Sequence, residues 1–363
     1  MTSVDSLSPS PLARQRYDAS DLSRFAIALT SRAGLDPVIG RAVAEVLIEG
    51  DLLGHDTHGL QLLAPYLREL DAGTMAKRGP FRVVAERAAV ATWDGLRLPG
   101  PWLVRQAIDW AMPRARAHGQ ATVVIRRSHH IACLAAYLEA PAREGMMITI
   151  ACSDPAVASV APYGGTRAVF TPNPFAVGFP TRDDPVMIDI SASITTNGMS
   201  ARMRDAGQVG DHAWWLDARG EATPDPSVLF AQPPGTILPL GGLDAGHKGY
   251  GLALLIEALT GGLAGHGRAD PPEGWGATVF VQILDPAAFG GASAFEHQMT
   301  HLANACRASP ARGNGPPVRL PGERGLARKR EQLEHGVALH PAIMPALAAH
   351  ANAAAIGAPP ALR

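Results

Sequence analysis

Apolar positions along the chain switch from helical spacing to alternation and back, and that switch divides the sequence before any single residue is considered. Leu22, Phe25, Ala26 and Leu29 recur at helical spacing behind Asp21, a capping residue type, and Gly34 closes the segment. Asp36-Pro37 opens a second helix, because proline at the first helical position lacks only an N–H that would have no partner there. This helix runs over 38–53 and carries Val43, Val46, Leu47 and Leu53 on related faces. A third helix passes through Tyr66 and Leu70 and ends near Gly73. Phe81, Val83 and Val84, then 89–93, alternate as a hairpin does, and 106–118 returns to helix. Short apolar runs at 122–126, 147–151, 175–179, 186–190 and 278–284, separated by Gly and Pro, predict the strands of a sheet.

Between these runs, 197–243 is rich in Gly, Pro, Asp and Trp and predicts an irregular excursion, with turns at Asp217-Ala218-Arg219-Gly220 and Pro233-Pro234-Gly235. From about Lys248 to Leu263 the near-uniform apolarity predicts a long helix buried on most sides, in the core or at a subunit contact. The tail alternates helix with proline breaks, and its Ala-rich end over 340–361 is helix-prone. Helices at both ends and irregularly connected strands between them predict an α+β fold with a mixed, largely antiparallel sheet. The division that follows is a helical domain built from 1–120 with 290–363, for substrate and dimerisation, and a sheet domain over 121–289.

Composition narrows the function classes. A 363-residue chain with 47% hydrophobic residues is long enough for a sizeable core, and its 32 basic against 33 acidic residues leave no basic excess for a phosphate backbone. Nucleic acid is therefore not an expected partner. The first sixteen residues have no apolar leader, and no later run reads as a membrane span, so a soluble, cytoplasmic protein is expected. The three cysteines, Cys133, Cys152 and Cys306, lack metal-site spacing, and Cys133 reads as a small buried hydrophobe.

Candidate chemistry concentrates at Ser128-His129-His130-Ile131, where a predicted strand ends. An imidazole at such a rim can take up a proton near neutral pH, although paired histidines are also ordinary loop residues. Asp189 closes another strand and reads either as a partner that orients an imidazole or as a polar strand end beside Ser191 and Ser193. His58 can bond the last carbonyls of a helix, and His247 and Lys248 open an apolar helix whose free N–H groups favour an anion. A metal-dependent hydrolase built on His55, His58, His129 and His130 is the alternative from a different class; the reading preferred has no metal site, since no His-Glu-x-x-His is present. No Gly-x-Gly-x-x-Gly follows a strand, so a doubly wound dinucleotide fold is not indicated.

Taken in order, Gly54-His55-Asp56-Thr57-His58-Gly59, Ser128-His129-His130, Ala161-Pro162-Tyr163-Gly164-Gly165, Pro172-Asn173-Pro174, Asp189-Ile190-Ser191-Ala192-Ser193, Gly246-His247-Lys248-Gly249 and Leu320-Pro321-Gly322-Glu323 resemble the type 2 malate/L-lactate dehydrogenase family. The resemblance covers about residues 21–341. It implies a non-Rossmann nicotinamide-binding domain, NAD or NADP as cofactor, a small 2-hydroxy or 2-oxo carboxylate as substrate, a homodimer, and reductases of cyclic imino acids among the relatives. It implies His130 and Asp189 as catalytic, and Thr57, His58 and His129 as substrate-binding. His58, Asn173, Asp189, Ser191, Ser193, His247, Lys248, Pro321, Gly322 and Glu323 are implied to bind cofactor. The chain departs from the family pattern at His129, commonly Asn; at Thr171, commonly Gly; at Met199, commonly Lys; and at Leu62, commonly Arg. Without an arginine at 62 the substrate carboxylate needs another anchor, and Arg202, Arg204 and Arg68 are the candidates.

Overall fold

The computed structural model describes residues 14–362, so most of the leader reading falls outside the described residues. In chain order, β1 (Arg16–Tyr17), α1 (Ala19–Arg32), α2 (Pro37–Leu53) and α3 (Leu63–Ala72) precede a hairpin of β2 (Arg82–Arg87) and β3 (Val90–Asp94). Then come α4 (Gly100–His118), β4 (Gln120–Ser128), α5 (Glu139–Arg143), β5 (Met147–Ser153), β6 (Pro174–Phe179) and β7 (Val186–Ser191). The excursion holds α6 (Asn197–Asp205) and the short strands β8 (Trp215–Leu216), β9 (Ala222–Thr223) and β10 (Thr236–Ile237). It leads into α7 (Gly242–Glu257) and β11 (Ala277–Leu284), and α8 (Ala292–Arg307), α9 (Glu323–His335), β12 (Val337–Ala338) and α10 (Ile343–Ala353) follow.

The main sheet has seven strands in the order β2-β3-β4-β11-β5-β6-β7. Only β3 and β4 pair in parallel; the remaining pairs are antiparallel, as the sequence pattern predicted. Alternation along the central strands sends neighbours to opposite faces. Val123, Ile125, Ile150, Val279 and Val281 join the large hydrophobic cluster with α1–α4, whereas Val124, Ala151 and Phe280 join a smaller cluster with Trp215, Ile237, Ala253 and Ile256. Each such fully buried aliphatic side chain contributes roughly 1.5–3 kcal/mol relative to exposure.

Several expectations shift in detail. Asp18, not Asp21, caps α1, accepting from the Ser20 and Asp21 N–H groups. The helix expected at 106–118 starts at Gly100, with proline in its first turn. The excursion is more regular than its composition indicated, because β8 pairs with β9 and β10. The helix expected from Lys248 begins at Gly242, breaks its geometry at Ala245, and passes into a π-helical turn over Ala258–Gly262. It is not buried on most sides: Leu243, Leu254 and Leu255 are 51%, 47% and 50% exposed. No helix among the described residues is long and apolar enough to cross a membrane.

One ionic cluster fixes the strand end that delivers the histidines. The fully buried carboxylate of Asp94 holds Arg82, Arg126 and Arg127 at 2.9, 3.3 and 3.0 Å, tying β2, β3 and β4 together. Removing this acid would untie the three strands at this point, while the released guanidinium groups, all partly exposed, would return to solvent.

Candidate active site

Past Ser128 the chain leaves the sheet through left-handed residues on either side of the histidines, Arg127 at φ +51° and Ala132 at φ +60°. The His129 N–H donates to the Leu98 carbonyl at 3.0 Å, and α4 begins so close to this loop that a Cβ on Gly100 would overlap the carbonyls of His129 and His130. The two histidines consequently face different surroundings. His129 is fully buried, edge-on to Trp275 with ring centroids 5.1 Å apart. Its Nδ1 accepts the His130 N–H at 2.9 Å, and its Nε2 faces Glu69 Oε2 at 3.4 Å. Burial, with Arg97 nearby, lowers its pKa to about 4 against the opposing pull of Glu69, so a neutral ring donates from Nε2 to the carboxylate. Both nitrogens of His129, expected to contact substrate, are thus bonded inside the protein, one of them to the His130 backbone.

His130 is partly exposed. Its Nδ1 lies 2.8 Å from the Tyr66 hydroxyl and 3.2 Å from the Ala132 N–H, and the same hydroxyl is 3.2 Å from the His130 carbonyl. Trp275 lies against one side of the ring at 4.8 Å, and His58 stacks at 5.9 Å. Burial, reinforced by His58 and His129, holds this imidazole well below the ordinary histidine value. His58 itself is lowered to about 4, by burial and then by His55 and Arg202, and its Nδ1 meets Thr57 Oγ1 at 2.9 Å. His58 and His130 are therefore both neutral at physiological pH.

Of the three candidate arginines, Arg202 is the one that lies at this turn. It contacts Asp56 Oδ1 at 3.4 Å and Gln61 Oε1 at 2.5 Å, while Arg14 holds the other Asp56 oxygen at 2.8 Å. One carboxylate between two guanidinium groups leaves positive charge beside His58. Burial works against ionisation of Asp56, but Arg202 and Arg14 hold its pKa below the usual value. Arg204 instead pairs with Asp205 and lies over Phe230, and Arg68 is exposed on the surface.

Asp189 makes no hydrogen bond to His130. Its Oδ2 accepts from the Ala135 N–H at 2.9 Å and faces the Cys133 thiol at 3.9 Å, and the imidazole that acts on its charge is His55. Burial raises its pKa against those partners. The other residues expected to hold cofactor fall into two groups. Asn173, fully buried at φ +49°, spends its amide on Thr171 at 2.7 Å, Glu257 at 2.9 Å and the Ala253 carbonyl at 3.3 Å. Ser193 is likewise buried and donates to the Thr195 carbonyl at 2.6 Å, so neither side chain is free to meet a dinucleotide.

The second group lies along β7, the sheet's edge strand. Pro321 docks there through its carbonyl on the Met187 N–H at 3.1 Å, and Gly322 at φ +93° packs on Met187. Glu323 is turned away, bonded to Arg307 at 2.6 Å and the Leu320 N–H at 2.8 Å. Beyond Ser191, the Ala192 carbonyl accepts from Leu240 at 2.8 Å, and the Leu240 carbonyl accepts from Gly249 at 3.1 Å, which seats exposed His247 and Lys248 beside the strand. His55, His58, His129 and His130 do not gather as a metal cluster; among the described residues only His55 joins a metal-ligand group, with Cys133 and Asp189.

Tyr66, Glu69, Arg97 and Trp275 were not singled out from the sequence. Tyr66 and Glu69 are one turn apart on α3, a polar pair on an otherwise apolar face, and that spacing was a usable signal. Trp275, between two glycines, offered none.

This arrangement of a cleft imidazole, neighbouring cations and a long sheet edge agrees with the sequence comparisons. Residues 17–348 match the family described as malate/L-lactate dehydrogenase, and the chain belongs to that family. It is thereby an oxidoreductase of the 2-hydroxyacid dehydrogenase class. Hydroxycarboxylate dehydrogenase B of Escherichia coli is 30% identical over 331 residues, covering 89% of this chain and 90% of the relative. The (2R)-3-sulfolactate dehydrogenase (NADP(+)) of Chromohalobacter salexigens is 32% identical over 321 residues, 85% of this chain and 90% of the relative. The solved malate dehydrogenase of Entamoeba histolytica shares the fold at a TM-score of 0.89 and 21% identity, with 95% and 99% of the two chains covered.

Proposed function

We propose that the chain transfers a hydride between NAD or NADP and a small 2-hydroxy or 2-oxo carboxylate, with His130 as the group that takes or returns the hydroxyl proton. The observation that carries this reading is the Tyr66 hydroxyl 2.8 Å from His130 Nδ1. A proton on Nδ1 directed at that hydroxyl leaves the Nε2 lone pair free to accept, whereas the Ala132 N–H at 3.2 Å favours the opposite tautomer. A hydroxyl that can donate or accept accommodates the ring in both forms and in the doubly protonated form between them. His129 and Glu69 fix the His130 backbone while this happens, and Trp275 shields the ring from water.

A nicotinamide cofactor, when bound, supplies the hydride acceptor for C2. The exposed pair His247 and Lys248 follows the break at Ala245, where backbone N–H groups and the lysine suit a diphosphate. The Pro321-Gly322 turn and Ser191, whose hydroxyl already donates to the Ser193 carbonyl at 2.8 Å, border the same edge, so the donors whose chemistry fits the group are the lysine and the free backbone N–H groups. Arg202 anchors the substrate carboxylate in place of the arginine absent at Leu62, and Thr57 and His58 line the substrate side.

A panel of 2-hydroxy acids and cyclic imino acids with both cofactors, followed by nicotinamide absorbance, tests the reading; no turnover with any of them overturns it. With the best substrate, Arg202→Gln should raise KM roughly ten- to hundredfold, the value of a charge-assisted hydrogen bond, and leave cofactor affinity unchanged. An unchanged KM removes the anchor assignment.

A further inference from the structure

Three side chains of metal-binding type that the dehydrogenase reading gives no common task meet in the wall of the cleft. His55 comes from the turn after α2, Cys133 from the segment three residues beyond His130, and Asp189 from β7, and one donor atom of each lies within 4.8 Å of the others. We propose that His55, Cys133 and Asp189 form a zinc site and that filling it inhibits the enzyme.

The donor set points to the ion. An imidazole, a thiol and a carboxylate together suit zinc, whereas magnesium and calcium take oxygen ligands. Donors bound tetrahedrally at about 2.0–2.3 Å from zinc lie roughly 3.3–3.8 Å from one another. Cys133 Sγ and Asp189 Oδ2 stand 3.9 Å apart, and small side-chain rotations bring in His55. The Ala135 N–H on Asp189 Oδ2 at 2.9 Å holds the carboxylate in place, the kind of outer bond that orients a ligand. Cys133 is buried while His55 and Asp189 are partly exposed, so an ion enters from the cleft and finds the sulfur at the back. As the metal–sulfur bond forms, the thiol proton leaves to solvent, with no change of oxidation state. Three protein ligands leave a fourth position for water. The bound ion ties the turn carrying His55, Thr57 and His58 to β7 and adds positive charge next to His58, whose ring stacks on His130 at 5.9 Å.

The test uses the full-length protein after chelator treatment and does not require that a substrate be known. Titration with cobalt(II) should give one equivalent bound with thiolate-to-cobalt charge-transfer absorption in the near ultraviolet, displaced by zinc. Cys133→Ala should abolish that band, and His55→Asn, on a partly exposed turn, should weaken binding at least about tenfold. In the activity assay, zinc should inhibit, a chelator should reverse it, and either variant should need at least about tenfold more zinc. Absence of the band, its survival in Cys133→Ala, or equal zinc sensitivity of wild type and both variants overturns the site. Because the band is read without turnover, its loss is distinct from failure of the dehydrogenase reading.

Discussion

At the scale of single residues, two adjacent imidazoles have been made unlike by their neighbours. His130 keeps an edge open to the cleft, and His129 spends both nitrogens inside. His130→Ala should therefore lower turnover by roughly two to four orders of magnitude with cofactor binding nearly unchanged, the usual range for a positioned base. His129→Asn should act more mildly, because an amide can still accept the His130 N–H and donate to Glu69. Near-normal turnover in His130→Ala, measured at saturating substrate, would reassign the proton transfer. The pH dependence follows from the direction in which burial moves His130. Its neutral form, needed for oxidation, persists well below the ordinary histidine value, so the oxidation rate should stay level through pH ~6.5 and fall only in more acid solution. Reduction needs the protonated ring and should rise as the pH is lowered. An oxidation rate that halves near pH ~6.5 would mean an unshifted imidazole.

At the scale of elements, the end of α2 carries the site. The Asp51 side chain there is buried, one oxygen accepts the Leu60 N–H at 2.7 Å, and the other has no partner. A Cβ on Gly59 would overlap this carboxyl, so glycine lets the turn bearing Thr57 and His58 fold directly onto the helix end. Burial raises the Asp51 pKa from 3.8 to about 8. The folded chain thus holds a proton that the unfolded chain releases near the ordinary carboxylate value. The stability this contributes is complete below that value and is lost as the pH rises toward 8, by up to about 1.4 kcal/mol per pH unit. Thermal unfolding of Asp51→Asn should lack that decline, and parallel pH profiles for the two proteins would contradict it. The Asp94 cluster does comparable work at the end of β4, holding three arginines so that the strand releases the histidines at a fixed point.

At the scale of the whole molecule, apolar surface is left uncovered. Leu243, Leu254, Leu255 and Leu263 of α7 and the turn that follows it are each about half exposed, side chains of the kind that an interface between copies would cover. We expect a homodimer or a multiple of it with this face covered. Light scattering at micromolar concentration should give at least twice the chain mass, and Leu254→Lys with Leu255→Lys should shift it toward the monomer. An active wild-type monomer would remove the expectation.

The sequence by itself determined most elements and the sheet type, because the period of apolar positions reports directly which faces must leave water. The strands at 122–126, 147–151, 175–179, 186–190 and 278–284 all stand within a residue or two of where that period placed them. It also located the histidine pair at a strand end. Only the tertiary structure decided which imidazole faces the cleft, since Tyr66, Glu69 and Trp275 reach the pair across about 60 to 145 residues of chain. It likewise placed Arg202, rather than Arg204 or Arg68, beside the Thr57-His58 turn, and buried the side chains of Asn173 and Ser193. Local spacing encodes the face a residue presents; what meets that face depends on how distant segments pack, and a periodicity of two or three and a half residues carries no record of that.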